Sequence, residues 1–175
     1  MIAGITLDTF HRHADKVAMA AVAQLVNCIQ MLFLADGDRF CVTPTYQVFA
    51  MYKDHNNGES LRSAFEAPAV SFAIDGKPHQ VVRLAGSASR SGNTLTITAS
   101  HTHLTEPLDT SIGVSGGSIK SARAMVLTGP DIHAHNDFTH PNDVRPASAS
   151  IEGEGRELRM RIPPASVIKI RAELA

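Results

Sequence analysis

The chain has 175 residues, 16 Lys/Arg against 17 Asp/Glu, and a formal net charge of −1. That length suits one domain, or one domain with an appendage, and buries roughly 70% of the unfolded surface without disulfide or metal staples. With 43% hydrophobic and 19% charged residues the composition is globular. No basic stripe is present, which argues against nucleic acid or an anionic membrane as partner, and the longest apolar run is far short of a membrane span.

Residues 1–20 read as a helix with a loose apolar face of Ile2, Ile5, Phe10 and Val17. Asp8, Arg12, Asp15 and Lys16 interrupt this stretch, so it does not read as a secretory signal. The helix has no N-cap residue before it. From Val22 to Leu34 the pattern changes to an apolar run without alternation, which predicts a strand buried on both faces, as in a parallel sheet. Cys28 and Cys41 lie in such apolar runs and read as buried free thiols in a reducing compartment, the cytoplasm. Asp36-Gly37-Asp38 predicts a turn. Thr43-Pro44 predicts a helix start, with Thr43 accepting from orphan N–H groups and Pro44 at the first helical position. Tyr46, Val48, Phe49 and Met51 supply its apolar face, and Asn56-Asn57-Gly58 stops it.

From about residue 65 the hydrophobic period becomes two. Val70, Phe72 and Ile74 alternate before Asp75-Gly76, and Leu95, Ile97 and Ala99 alternate after Ser91-Gly92-Asn93. Leu158, Met160 and Ile162 follow a glycine-containing stretch, Ile168 and Ile170 close the chain, and Ser115-Gly116-Gly117-Ser118 reads as a hairpin turn. Short strands at this spacing predict an antiparallel β-sandwich. The division is therefore a helix–strand–helix unit over residues 1–60 and a β-sandwich over 61–175. A lone helix–strand–helix unit cannot cover both faces of its strand, so it reads as part of a larger α/β layer.

The polar residues offer little chemistry of their own. Three His-x-His pairs occur: His11/His13, His101/His103 and His133/His135. On a strand such a pair puts both rings on one face, a usual beginning of a metal site. With Glu106 following and His133, His135 and His140 further on, a cupin-like metal site is one alternative reading, behind a non-catalytic carbohydrate-binding or assembly module in which the sandwich is the working part. Leu95 fills the position six residues before the first His where cupins carry Gly, which favours ordinary polar residues and no metal. Glu59, Glu66, Glu106, Glu152, Glu154, Glu157 and Glu173 all lie in turn-like, polar or terminal contexts, and none ends a buried strand where a barrel presents its reacting groups. No nucleophile elbow, dinucleotide fingerprint or phosphate loop is present. The chain has no Trp and 5% aromatic residues, which argues against a complete sugar site on this chain alone.

Two stretches carry a resemblance. The first is His13-Ala-Asp-Lys-Val-Ala-Met-Ala20 with Ala23-Gln-Leu-Val-Asn27, Leu34-Ala-Asp-Gly-Asp38 and Thr43-Pro-Thr-Tyr-Gln-Val-Phe-Ala-Met-Tyr52. The second is Val126-Leu-Thr-Gly-Pro-Asp-Ile-His-Ala-His-Asn136 with Pro141-Asn-Asp-Val144 and Pro163-Pro-Ala-Ser166. In that order they resemble the C-terminal third of the α-L-arabinofuranosidases of glycoside hydrolase family 51. The resemblance implies a retaining exo-hydrolase built from a (β/α)8 barrel and a C-terminal, jelly-roll-like β-sandwich. Residues 1–20 would be the seventh barrel helix, 22–30 the eighth strand and 44–54 the eighth helix. It also implies that the family's acid/base and nucleophile, in Asn-Glu and Asp-Glu-Trp motifs, precede this chain, so that no catalytic residue lies on it. One sugar-contacting position carries over, Gln24. Gln47 stands where many relatives have His. The implied ligand is an arabinofuranosyl oligosaccharide in the context of a complete barrel, with no cofactor, and the implied partner is the barrel segment or a second copy.

Overall fold

The computed structural model describes residues 1–175. In chain order the elements are α1 (Ile2–Arg12), β1 (Phe33–Asp36), β2 (Arg39–Val42), α2 (Pro44–Tyr52), a 3-10 turn (Lys53–His55), β3 (Glu59–Leu61), β4 (Val70–Ile74), β5 (Lys77–Val81), β6 (Leu84–Ser91), β7 (Thr94–His101), β8 (Leu108–Gly113), β9 (Ile119–Leu127), β10 (Ala147–Ala149), β11 (Glu157–Ile162) and β12 (Ser166–Leu174).

The two-residue period builds two antiparallel layers. The larger is a six-stranded sheet in the order β10-β9-β12-β7-β6-β3, and the smaller is the ribbon β8–β11. Along β12, Ile168, Ile170 and Ala172 point into the space between the layers, while Val167, Lys169 and Arg171 point away. Leu95, Ile97 and Ala99 of β7 join them from the sheet, and Leu158, Met160 and Ile162 of β11 face them from the ribbon. Arg159 and Arg161 take the outward positions. Burying each large aliphatic side chain here contributes roughly 1.5–3 kcal/mol. The mainly β, antiparallel expectation therefore holds, and the clearest strands are those whose alternation feeds this core.

Three local expectations do not hold. Ser115–Ser118 is not a hairpin turn: β8 pairs with β11 along its whole length and β9 pairs with β12 and β10, so the segment carries the chain from one layer to the other. Glycines permit either course, and the neighbours that complete each layer decide. The first helix ends at Arg12 instead of Ala20. Beyond Arg12 nearly every side chain is exposed, and a short helix without a packed face is marginal in water. The strand expected over residues 22–30 is also absent. Only one parallel bridge forms there, Val26 with Phe33. A strand exists only through a continuous ladder, and this run meets a neighbour at that single bridge beside β1. The apolar residues after it fold instead into the β1–β2 hairpin, turning at Gly37 with φ 57°.

The second helix forms as the sequence dictates. Thr43 Oγ1 accepts from the Tyr46 N–H at 3.3 Å, and Pro44 opens the helix. Both helices lie on the outer face of the larger sheet. Leu7, Val48, Met51 and Tyr52 pack there against Leu127 and Val167, with Val144. Gly4 permits the close approach of α1, since a Cβ would come within 2.5 Å of Ser100 Oγ.

Candidate functional site

Gln24 lies in the irregular segment between α1 and β1, exposed to solvent and without a side-chain hydrogen bond. Its position is set just downstream. Leu25 accepts at its carbonyl from the Leu32 and Phe33 N–H groups, both at 3.0 Å. Asn27, at φ 52°, donates from Nδ2 to the Ala35 carbonyl at 2.7 Å and accepts at Oδ1 from the Ala35 N–H at 2.9 Å. This clamp holds the 25–27 backbone beside β1 and leaves the Gln24 amide free to donate and accept. The same segment carries exposed apolar side chains, Met19 at 85% and Ile29 at 92% of full exposure, with Leu25 and Val26. An apolar cleft of about 700 Å³ adjoins them, walled by Ile2, Phe10, Val22, Ile29, Phe49 and Ile132 among others.

The other polar concentration is buried. Strand alternation puts Ser87 and Ser89 of β6 and Thr96, Thr98 and Ser100 of β7 on the outer face of the larger sheet, beneath the helices. Asp8, at 0% exposure, accepts at Oδ1 from Ser87 Oγ at 2.8 Å and Thr98 Oγ1 at 2.7 Å, and at Oδ2 from the Tyr52 hydroxyl at 2.8 Å. His55 bonds through Nδ1 to Ser89 Oγ at 2.7 Å and through Nε2 to Thr98 Oγ1 at 3.0 Å. The His11 ring lies 4.4 Å from the His55 ring and approaches Ser87 Oγ at 3.3 Å. Burial pushes the Asp8 carboxyl up to about 6, against the pull of its three hydroxyl donors and Arg12. Burial, then the neighbouring His11, drives His55 down to about 4. A raised carboxyl is what a general acid needs, but this one is sealed from any substrate.

The sequence pattern that marks this network is the Ser/Thr alternation at 87, 89, 96, 98 and 100, the signature of a hydroxyl-lined strand face, and it stood unread beside the histidines and glutamates.

Within the histidine pairs, His101, His103 and His135 bond to protein groups. His101 is buried, donates from Nδ1 to the Pro163 carbonyl at 2.9 Å and accepts at Nε2 from Arg83 Nε at 3.3 Å, so both nitrogens are used. His103 Nδ1 accepts from the Glu106 N–H at 3.0 Å. His135 Nδ1 donates to the His133 carbonyl at 2.9 Å, and His13, His133 and His140 are exposed. No group of three or more His, Cys, Asp or Glu side chains is placed to hold a metal ion. The seven glutamates are all exposed. Cys41 is buried as expected, whereas Cys28 is half-buried on the open segment. No helix is long and apolar enough to cross a membrane.

Two facing antiparallel layers with a pair of helices docked on the larger sheet define a β-sandwich domain. The sequence profile of the α-L-arabinofuranosidase C-terminal domain matches residues 1–166, and the chain belongs to that family, within glycoside hydrolase family 51. It is 27% identical over 173 residues to an intracellular exo-α-L-arabinofuranosidase of Bacteroides ovatus, covering 98% of this chain and 33% of that protein. It is 28% identical over 176 residues to intracellular exo-α-(1→5)-L-arabinofuranosidase 1 of Bacillus subtilis (strain 168), covering 99% of this chain and 35% of that protein. The crystal structure of the family 51 arabinofuranosidase from Xanthomonas axonopodis pv. citri superposes with a TM-score of 0.91 at 28% identity, over 98% of this chain and 34% of that one. The arabinose complex of the Thermotoga maritima α-L-arabinofuranosidase gives 0.83 at 27% identity, over 98% and 37%. The chain thus spans about a third of the length of these relatives.

Proposed function

We propose that this chain is the C-terminal portion of an enzyme that removes terminal arabinofuranosyl groups with retention, and that it does not catalyse that reaction by itself. The observation that carries the reading is the family match over residues 1–166, joined to superposition on just one third of complete arabinofuranosidases. In this reading residues 1–60 close a (β/α)8 barrel and 61–175 form the jelly-roll-like sandwich beside it. Gln24 sits at the mouth of the completed barrel and hydrogen-bonds sugar hydroxyls. Its exposure and its clamped backbone support that role. The apolar side chains of Ile2, Met19, Leu25, Val26 and Ile29 are then covered by the remainder of the barrel or by a second copy. Residues 22–30 gain their ladder partners only there. The names of the two curated relatives and the free thiols support an intracellular location.

Hydrolysis of a furanoside needs an acid to protonate the leaving oxygen and a carboxylate to trap the sugar. A carboxamide such as Gln24 orients hydroxyls but does not titrate, and binding contacts alone leave the barrier nearly unchanged. The purified chain should therefore release no nitrophenol from nitrophenyl α-L-arabinofuranoside above background. Saturable release abolished by Gln24→Ala would overturn the reading. Sequencing the DNA upstream of the Met1 codon is the complementary test, with an in-frame or separately encoded barrel carrying the two glutamates as the expected result.

A further inference from the structure

Asp8 and His55 are buried against the hydroxyl face of the larger sheet, and neither forms an ion pair. The charged groups around them are engaged elsewhere. From α1, Arg12 donates to the Gly86 carbonyl at 2.6 Å and to Thr9 Oγ1 at 3.2 Å. From the 3-10 turn, Asp54 is held by Lys169 of β12 at 2.8 Å, with Arg171 at 3.9 Å. The remaining titratable neighbours are His11 of α1 and Tyr52 of α2, while β6 and β7 present only hydroxyls. One hydroxyl joins the two groups: Thr98 Oγ1 donates to Asp8 and accepts from His55 Nε2–H. Ser89 Oγ lies 2.7 Å from His55 Nδ1. The Thr98 bond thus places a proton on Nε2, and in the neutral imidazole that burial favours Nδ1 accepts from Ser89.

We propose that Asp8 and His55 form a proton-compensating latch, in which acid is taken up by the carboxyl instead of the imidazole, so that α1 and the 3-10 turn stay docked on the sheet through mild acid. Protonating Asp8 neutralises a buried charge that has no ion-pair partner, and the new O–H has three hydroxyl oxygens within reach to accept it. Protonating His55 would instead bury a cation 4.4 Å from the His11 ring and turn Nδ1 from acceptor to donor against Ser89.

The titration of both groups agrees with this geometry. The carboxyl rises from 3.8 to about 6, so between those values the folded chain holds a proton that the unfolded chain lacks, and Asp8 adds stability as pH falls through 6. The imidazole falls from 6.5 to about 4, so the folded chain lacks a proton that the unfolded chain holds, and His55 removes stability as pH falls from 6.5 towards 4. Between pH 4 and 6 the two slopes offset.

The test is urea unfolding of the 175-residue chain, Asp8→Asn and His55→Gln at pH 6.5 and 4.5, read as the ratio of each variant's folding constant to that of the wild type. Using the ratio removes the contributions of all other titrating groups. On acidification the Asp8→Asn ratio should fall, and the His55→Gln ratio should rise, each by about tenfold or more, because a proton held ten times more tightly in one state than in the other changes the folding constant by up to that factor. Ratios that stay flat, or that move in the same direction, overturn the proposal. Should a variant not fold, the wild-type chain decides by NMR. The Asp8 carboxyl should titrate near 6 with His55 neutral to about 4, whereas Asp8 titrating near 3.8 or His55 near 6.5 overturns it.

Discussion

Asn136 makes three backbone hydrogen bonds with one side chain, to Val42 and Val144. Its Nδ2 donates to the Val42 carbonyl at 3.0 Å and the Val144 carbonyl at 2.9 Å, and its Oδ1 accepts from the Val144 N–H at 2.7 Å. Truncation would leave the two buried Val144 groups without this partner, each worth about 1–3 kcal/mol when unsatisfied, and would take one bond from the half-buried Val42 carbonyl. Asn136→Ala should therefore lower unfolding stability by at least about 2 kcal/mol in urea titration, with the loop over residues 128–144 loosened first in hydrogen exchange. Thr43→Ala should cost about 1 kcal/mol through loss of the α2 cap. A second bond, from Thr43 Oγ1 to the Met31 carbonyl at 2.8 Å, pushes the loss towards the upper end of that range. These two residues differ in legibility. The Thr43-Pro44 cap is a local rule, fixed by neighbours in sequence, and it reads directly. Asp8, and Asn136 through Val42, act on partners dozens of residues away, and no local pattern names those partners. Gln24 was legible only through resemblance, because an exposed amide has no signature of its own.

Among the elements, the β4–β5 hairpin stands apart. Its register, Val70 with Val81, Phe72 with His79 and Ile74 with Lys77, puts an apolar row on one face. It turns through Asp75 at φ 50° and Gly76 at φ 74°, the pairing that a two-residue hairpin turn favours, so the element was readable from Asp75-Gly76 and the flanking alternation. Yet it pairs with no other sheet, and nearly all its residues are exposed. A two-stranded ribbon alone is marginal in water. Its amides should exchange at least about a hundredfold faster than those of β7 and β12, which are paired on both sides and walled by the core. Equal protection would mean that another surface covers the ribbon. The same reasoning explains what was legible at this scale. Alternation that ends in a filled core produced strands at the expected places. The run from Val22 to Leu34 carried the hydrophobicity of a strand buried on both sides, but hydrophobicity does not supply ladder partners.

At the scale of the whole molecule, burial is lopsided. The space between the two layers is filled by residues such as Leu158 and Ile170, both at 0% exposure, while the α1 end of the chain presents Ile2 at 78%, Met19 at 85% and Ile29 at 92%. Ile2 and Ile29 wall the same apolar cleft, so these two belong to one surface, and Met19 is exposed on the same segment as Ile29. Exposed apolar surfaces of this kind mark an interface. Met19, Leu25 and Ile29 lie outside both hydrophobic clusters, so changing them leaves the packed core intact. The isolated chain should therefore associate with itself in a concentration-dependent manner. Sulfate should strengthen the association, because excluded salts favour apolar burial, whereas an interface made of ion pairs would weaken with salt. The triple change Met19→Ser, Leu25→Ser and Ile29→Ser should shift the sedimentation profile to monomer while leaving the urea midpoint within the range of surface substitutions, about 0.5 kcal/mol. A wild-type chain that sediments as a clean monomer at millimolar concentration would show that this face needs no cover, and the proposed barrel contact through residues 1–60 would fall with it.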